Sequence, residues 1–338
     1  MGSLQPNFSH LYIEKAVSDF PLTKLAISKF SNSTIIWIDH YKDIFNRSGQ
    51  DFQTQKLSMN IILAKKIKPF LYPASDMVQN YDNPNIYYNT PVLNCIYNCE
   101  YCFLQGMYNS GNLVVFVNED EFKESIKKIL LNPIDPNKQT LVSISYNTDL
   151  LAIENILPLT RRWISFAEKN KSLIIEVRTK STLITSIKDI KPIYNVILSW
   201  TLSPQVICEI YEHSAPPLKS RIKAVQLAIK YGWRVRLCFD PIIFIDNWFE
   251  IYSEFILMIF NEIDANKIED ITIGVFRMNK DYFNRIRKRD PKSDIYFQDY
   301  VQEGNTVVED KYKREKALDE LTKIVSKFIP KNNILVWN

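Results

Sequence analysis

Three cysteines fall within eight residues of the chain, in the stretch Cys95-Ile-Tyr-Asn-Cys99-Glu-Tyr-Cys102. The chain has only two other cysteines, Cys208 and Cys238. Five cysteines scattered at random would give this C-x3-C-x2-C spacing on the order of 10⁻³ times. An odd number of cysteines argues against a disulfide framework, and clustered thiolates bind soft metals. The stretch therefore predicts a metal centre.

Two kinds of metal centre fit this spacing. A zinc site needs a fourth ligand, which Cys208 or Cys238 would have to supply from a distant part of the chain. An iron–sulfur cluster is the alternative that we favour. An ordinary [4Fe–4S] electron carrier uses four cysteines, whereas three close cysteines leave one iron open to a substrate or cofactor.

The composition is that of a globular protein and excludes several other classes of site. Of the 338 residues 46% are hydrophobic and 24% are charged, so the chain can bury a sizeable core. The net charge of +4 does not by itself indicate nucleic acid or an anionic membrane. The three histidines, His10, His40 and His213, lie too far apart for a His-rich metal centre. Only seven glycines occur, and they form neither a Walker A loop nor a GxGxxG motif.

The chain ends and apolar runs predict a soluble cytoplasmic protein. The N-terminal residues have no basic region followed by an apolar one, as a signal peptide would. The longest apolar run, Phe255 to Phe260, is far too short to span a bilayer.

Apolar, β-branched runs alternate with helical patterns along the middle of the chain. This alternation predicts an α/β protein with parallel strands and crossover helices, specifically a partial (β/α)₆ barrel. The predicted strands are Ile86–Val92, Leu141–Tyr146, Leu173–Thr179, Val196–Thr201, Trp233–Phe239 and Asp270–Phe276. The predicted helices are Glu119–Leu131, Leu151–Glu168, Leu218–Lys230 and Trp248–Ile263, with a weaker one at Leu183–Ile190.

Two extensions flank the predicted barrel, which we expect to span residues 86–277. The N-terminal segment, 1–85, has one strand-like run at Thr34–Ile38, and Pro73 with Asn80–Asn85 marks its end. The C-terminal segment, 278–338, should hold a helix near Lys311–Phe328 and a closing strand at Ile334–Trp337.

Polar residues recur where the predicted strands end. In barrels of parallel strands the chemistry lies at the carboxyl ends of the strands, and the cysteine stretch follows the first strand. Each polar residue alone is more often a cap or a turn residue, but their recurrence favours a site. They are Tyr146 to Asp149, Thr179 to Ser181, Ser199, Thr201, Asp240 and Arg277.

The cysteine spacing, with the aromatic Tyr101 just before the last cysteine, resembles the signature of radical S-adenosylmethionine (SAM) enzymes. The resemblance implies a [4Fe–4S] cluster held by Cys95, Cys99 and Cys102, with SAM bound at its open iron. In such enzymes reductive cleavage of SAM gives a 5′-deoxyadenosyl radical that abstracts hydrogen from a substrate. A reduced flavodoxin or ferredoxin is the electron donor expected for the class.

Several motifs between residues 85 and 290 resemble, in order, the spore photoproduct lyase family. The resemblance implies that Lys180 and Ser199 contact SAM, that Thr148 lies near the ribose and that Tyr101 lines the adenine. The motifs are Tyr101 to Gln105, Thr179-Lys180, Ser199, Pro217 to Ala224, Asp240 to Ile242 and Trp248.

The resemblance leaves two classes of macromolecular substrate open. The family's lyases split a thymine dimer in DNA and return hydrogen through a cysteine and a tyrosine, at positions that here read Tyr146 and Phe103. Tyr146 is then the candidate hydrogen donor. The stretch Asp299–Lys313 shows no aromatic hairpin of the kind those lyases use on DNA. The alternative is an enzyme that modifies or cuts a ribosomally made peptide.

A basic stretch with interleaved aromatics at residues 277–292 bears on that choice. It holds seven Lys or Arg residues against two Asp residues. Such a stretch can track a nucleic-acid backbone, but it is more commonly the solvated face of a helix, and it would equally attract an acidic peptide.

Overall fold

The computed structural model describes residues 8–74 and 83–337. The part of the predicted boundary at residues 80–82 lies outside the described residues. The strands are β1 His10–Glu14, β2 Thr34–Ile38, β3 Ile61–Ala64, β4 Tyr72–Pro73, β5 Ile86–Tyr88, β6 Val92–Leu93, β7 Asn98–Cys99, β8 Leu113–Phe116, β9 Thr140–Ser143, β10 Leu173–Thr179, β11 Val196–Thr201, β12 Glu212–His213, β13 Arg234–Ile242, β14 Ile268–Val275, β15 Arg277–Asn279, β16 Val301–Glu303, β17 Thr306–Val308 and β18 Ile334–Trp337.

The α-helices are α1 Pro21–Lys29, α2 Lys42–Phe45, α3 Phe52–Leu57, α4 Leu104–Met107, α5 Glu119–Leu131, α6 Leu159–Glu168, α7 Gln205–Tyr211, α8 Leu218–Tyr231, α9 Trp248–Glu262, α10 Lys280–Arg289 and α11 Lys311–Val325. Their ends follow local chemistry. Asn279 caps α10 by accepting a hydrogen bond from the Asp281 N–H at 2.9 Å, and α8 ends at Gly232, whose φ of +94° suits glycine.

The chain divides into two compact units. Unit 1 comprises residues 1–96 and 108–178, and unit 2 comprises residues 97–107 and 179–338. In unit 1, β1, β2, β3 and β8 form a parallel sheet in the order β2-β1-β3-β8, and β6 joins β8 antiparallel. A second set in unit 1 pairs β5, β9 and β10 in parallel, with the short β4 antiparallel to β5.

Unit 2 is built on four parallel strands, in the order β11-β13-β14-β18. The residues of β11, β13 and β14 are mostly buried, as expected for parallel strands covered on both faces, whereas β18 is partly exposed. A small antiparallel sheet of β15, β17 and β16 lies in the C-terminal part of this unit. The β16–β17 hairpin occupies the stretch in which the sequence showed no aromatic hairpin, and residues 301–308 contain no aromatic residue.

The alternating α/β pattern predicted from the sequence is confirmed, with corrections at proline positions. Thr34–Ile38, Leu173–Thr179, Val196–Thr201, Glu119–Leu131 and Ile334–Trp337 have the predicted bounds. The predicted strand Ile86–Val92 is wrong in its second half: it ends at Tyr88, and Val92 belongs to β6 in the other sheet of unit 1. Pro91 lacks the N–H that would continue the ladder.

The helix predicted at Leu151–Glu168 begins only at Leu159, because Pro158 disfavours helical backbone at the residue before it. The N-terminal segment holds β1 and β3 in addition to the single predicted strand, and β8 from the predicted barrel joins their sheet. These strands have only four or five residues, which is too short for a clear period.

Candidate active site

The three cysteines lie in residues 95–102, which we call the cysteine loop, and this loop follows Asn94, which is fully buried in unit 1. Its φ of +73° is one that asparagine tolerates better than most residues. The Asn94 side chain donates to the carbonyls of Ser110 at 2.9 Å and Asn112 at 3.1 Å. Its Oδ1 accepts from the N–H of Cys95, also at 2.9 Å. These bonds fix the turn that presents Cys95.

The rest of the loop is paired to other parts of unit 2. The strand β7 pairs antiparallel with β12, so that Cys99 is opposite Glu212. The Gln105 side chain donates to the Cys99 carbonyl at 2.6 Å. Glu100 donates its N–H to the Tyr211 carbonyl at 2.8 Å and lies 2.5 Å from the ring of His213. The backbone between Cys99 and Cys102 is therefore held on both sides.

The basic helix α10 packs on α4, the short helix that follows Cys102. Arg285 donates to the Gly106 carbonyl at 2.8 Å, and Arg289 donates to the Gln105 carbonyl. These arginines satisfy carbonyls at the end of α4 that have no intrahelical partner. A side chain at Gly106 would place its Cβ 2.4 Å from the Tyr282 carbonyl oxygen, so this contact requires glycine.

Three of the seven basic residues in the stretch, Arg277, Arg285 and Arg289, thus serve the structure. Arg277 pairs with Asp240 at 3.5 Å and stacks on Trp337, which also accounts for two of the strand-end polar residues. Arg287, Lys288 and Lys292 are exposed and remain available to a ligand, and we call them the basic patch. Arg287 lies 5.9 Å from the ring of Phe297, which is itself 58% exposed.

A buried carboxylate, Glu212, connects two of the predicted SAM residues. The Tyr101 hydroxyl donates to one carboxylate oxygen, and the Lys180 ammonium lies 3.9 Å from that same oxygen. Arg221 donates to the other oxygen. The Lys180 ammonium also lies 5.2 Å from the centre of the Tyr101 ring. Tyr101 and Lys180, far apart in sequence, are thereby brought together.

The Glu212 carboxylate and the cations of Lys180 and Arg221 favour one another's ionised forms. Burial would raise the pKa of Glu212, but Lys180 and Arg221 outweigh it and hold the pKa below its ordinary value. Burial would lower the pKa of Lys180, but the Cys99 and Glu212 charges outweigh it and the pKa is raised. Both groups therefore stay ionised at neutral pH. Burial raises the pKa of the nearby Cys208 thiol to about 12, so this cysteine stays protonated.

The other predicted site residues lie at strand ends or within strands. Ser199 is fully buried in β11 of unit 2, opposite Arg236 of β13. Thr148 lies in unit 1 beyond the end of β9, and its buried hydroxyl has no hydrogen-bond partner. Tyr146 lies two residues before Thr148 and is half-buried, with its ring 4.5 Å from that of Tyr88. Phe103 lies at the start of α4 and offers no hydroxyl.

Sequence reasoning missed Glu212 and did not single out two buried polar residues after β5, Asn89 and Thr90, whose side-chain atoms have no partner. Asn147 after β9 is also buried with an unpartnered side-chain oxygen, and it belongs to the strand-end residues that the sequence indicated. A lone glutamate beside a histidine carries no recognisable signal, so Glu212 could not be identified from the sequence. The polar residues after β5 could have been found by applying the strand-end argument to Asn89 and Thr90.

The three cysteines supply the residue type that the cluster implied by the resemblance requires. Three thiols within one loop are the donor set of an iron–sulfur cluster with an open iron. Among the described residues, no group of three or more His, Cys, Asp or Glu side chains is placed so that it could hold a metal ion. In unit 1, Asn89, Asn147 and Thr148 have buried polar atoms without a hydrogen-bond partner, as a binding site for a polar ligand would provide.

No helix in the described part of the chain is long and apolar enough to cross a membrane.

No curated protein matches the chain. A mutant of spore photoproduct lyase with bound AdoMet and dinucleoside spore photoproduct matches with a TM-score of 0.83 and 16% identity, over 99% of each chain. The lyase complexed with dinucleoside spore photoproduct matches with a TM-score of 0.82, again at 16% identity and over 99% of each chain.

These structures show that the fold is the partial (β/α)₆ barrel of radical SAM enzymes with N- and C-terminal extensions, as the sequence predicted. The family model of spore photoproduct lyase matches residues 7–334, nearly the whole chain. The chain therefore belongs to the spore photoproduct lyase family, and it is a radical SAM enzyme that uses a [4Fe–4S] cluster and S-adenosylmethionine.

Proposed function

We propose that this enzyme cleaves a pyrimidine-dimer lesion in DNA by hydrogen abstraction. The observation that carries the proposal is the extent of the match: the family model covers residues 7–334, and the structural matches cover 99% of both chains. The likeness thus includes the extensions as well as the barrel. One solved relative holds AdoMet and dinucleoside spore photoproduct together.

In this proposal Cys95, Cys99 and Cys102 hold the cluster, and the buried polar groups hold SAM. The bound cluster and SAM supply a 5′-deoxyadenosyl radical that abstracts hydrogen from the substrate. Lys180 binds the methionine carboxylate, because its raised pKa keeps it charged in a buried position. Ser199 and the unpartnered Thr148 hydroxyl offer hydrogen bonds to the amine and the ribose. The Tyr101 ring lines the adenine, while its hydroxyl is anchored on Glu212.

Tyr146 is our candidate for the group that returns hydrogen to the product radical. It takes the position of the family's cysteine donor, and its phenol O–H is a hydrogen source that Phe103 lacks. The half-buried Tyr146 ring contacts the Tyr88 ring at a centroid distance of 4.5 Å, which restricts where the hydroxyl can point.

The basic patch supports a DNA substrate. Arg287, Lys288 and Lys292 are exposed, and the exposed Phe297 ring lies beside Arg287, so that positive charge and a stacking surface adjoin. Phosphates bind cations and unpaired bases stack on aromatic rings.

Three other observations favour the second candidate, a radical SAM enzyme that modifies or cuts a ribosomally made peptide. The β16–β17 hairpin has no aromatic residue to insert between bases. Its Glu303 is acidic and pairs with Arg314 at 3.2 Å, which does not favour contact with phosphates. Both donor positions of the family's lyases are also substituted.

The test measures 5′-deoxyadenosine from anaerobically reconstituted protein with dithionite and SAM. Dinucleoside spore photoproduct and ultraviolet-irradiated duplex DNA are compared with undamaged DNA and with a precursor peptide. We expect deoxyadenosine formation to rise with the lesion, together with recovery of the two thymines in place of the dimer. If 5′-deoxyadenosine formation is unchanged by the lesion but rises with the peptide, the DNA proposal is refuted and the second candidate is supported.

With the lesion as substrate, Tyr146→Phe tests the hydrogen donor. We expect this variant to cleave SAM and abstract hydrogen but to accumulate by-products in place of thymine. The matched control is Tyr12→Phe, in β1 of unit 1 and outside the proposed site. A normal thymine yield from Tyr146→Phe would rule out Tyr146 as the donor.

A further inference from the structure

The Glu212 carboxylate lies against the cysteine loop and is fully buried. We infer that Glu212 is a positioning residue that partly offsets two buried cations beside this loop and so holds the redox potential of the cluster low. The inference concerns the cluster and not the substrate. It rests on the proposed cluster ligands Cys99 and Cys102.

Both carboxylate oxygens of Glu212 have polar partners. Arg221 donates to one oxygen, and Tyr101 donates to the other. That second oxygen also lies 3.9 Å from the Lys180 ammonium and 3.4 Å from the Ser203 hydroxyl. The side chains of Glu212 and Arg221 have no solvent-accessible surface, and that of Lys180 has 15%. Water therefore screens these charges weakly.

The backbone ties Glu212 directly to the loop. Glu212 pairs with Cys99 across β12 and β7, and the neighbouring Glu100 N–H donates to the Tyr211 carbonyl. Tyr101, which donates to the Glu212 carboxylate, directly precedes Cys102. A change in the Glu212 side chain thus acts beside two cluster ligands.

The charge balance gives the direction of the effect. One carboxylate against the Lys180 and Arg221 cations leaves a net charge of about +1 in this group. Nearby positive charge stabilises the reduced cluster, which carries one more electron, and so raises its potential. Without Glu212 the group would carry about +2, and the potential would rise.

The experiment measures the midpoint potential of the reconstituted holoenzyme without SAM, by redox titration followed by electron paramagnetic resonance. We expect Glu212→Gln to raise the potential and Arg221→Met to lower it. The double variant has the same net charge as the wild type, so its potential should return close to the wild-type value. The matched control is Glu309→Gln, which removes a buried carboxylate that pairs with Lys313 at 2.9 Å. It should leave the potential unchanged.

Iron content separates this inference from the assignment of the ligands. Cysteine variants that retain a full cluster would refute the ligand assignment, whatever the Glu212 variants do. If Glu212→Gln assembles a full cluster with the wild-type potential, this inference is overturned while the ligand assignment stands. If the potential of the double variant is shifted further than that of either single variant, the inference is also overturned. A purely structural role would make the effects of the two substitutions add, whereas opposite charge effects should cancel. If Glu212→Gln does not fold, Arg221→Met decides: a lowered potential supports the inference and an unchanged one overturns it.

Discussion

Single residues carry the chemistry that this protein needs, and the cysteines are the clearest case. Cys99 is buried at the end of β7, where its carbonyl accepts hydrogen bonds from the Gln105 side chain and from the Cys102 N–H. Cys208, by contrast, lies in α7 and has its thiol 3.4 Å from the Ser203 carbonyl. The two side chains have similar burial but different neighbours, so comparing their variants isolates ligation from packing.

We expect Cys99→Ala to abolish cluster assembly and all cleavage of SAM, because three cysteine ligands leave no spare thiolate. Iron content and 5′-deoxyadenosine formation are the measurements. Cys208→Ala is the control, and it should keep both near wild-type values. A full cluster and normal SAM cleavage in Cys99→Ala would contradict the ligand assignment.

Lys180→Ala should weaken SAM binding while the cluster still assembles. Loss of one hydrogen bond to a charged group costs about 1.5–3 kcal/mol, which corresponds to a roughly 10- to 100-fold rise in Kd. Anaerobic calorimetry measures the affinity. Lys313→Ala removes a lysine that pairs with Glu309 and lies over the Phe244 ring, and it serves as the control. Unchanged affinity in Lys180→Ala would remove Lys180 from the site.

At the scale of elements, the packing of α10 against α4 decides how the loop after Cys102 is held. The contact combines close backbone approach at Gly106 with two arginines that satisfy carbonyls of α4. The sequence showed the basic stretch but not which of its residues would be used in this way. A charge pattern gives the same signal whether the guanidinium meets a phosphate or a carbonyl.

Gly106→Ala should destabilise the protein by about 1–3 kcal/mol, because the new Cβ would overlap the Tyr282 backbone. Urea denaturation measures the loss, and we expect iron content to fall with it. Gly304→Ala is the matched control: its φ of +58° carries strain, but no atom lies within 4 Å of the added Cβ. Equal effects of the two changes on iron content would contradict the proposed role of this contact.

At the scale of the whole molecule, the net charge of +4 is small, so we expect any attraction to DNA to depend on local charge such as that of the basic patch. If the patch contacts phosphates, retention of DNA should fall steeply as salt rises. Replacing Arg287, Lys288 and Lys292 by Gln should then reduce the salt dependence by about one unit of log–log slope per lost phosphate contact. Filter binding over a range of salt concentrations is the measurement.

The control for this prediction replaces Lys311, Lys316 and Lys323 of α11, each of which pairs with an acidic residue on its own helix. It removes the same formal charge from elsewhere on unit 2 and should leave the slope unchanged. An identical slope in the wild type and in the variant of the basic patch would show that the patch does not bind DNA. The peptide substrate would then be favoured.

The sequence by itself determined the cysteine loop, the alternating α/β pattern and the bounds of several strands and helices. These features depend on spacing and on local periodicity, which need no tertiary contact to be read. Only the tertiary structure decided that Val92 leaves the first barrel strand, that β1, β3 and β8 share a sheet, and that Glu212 joins Tyr101 to Lys180. Short strands carry little periodic signal, and a buried ion pair unites residues that are distant in sequence, so both depend on how the chain folds back on itself.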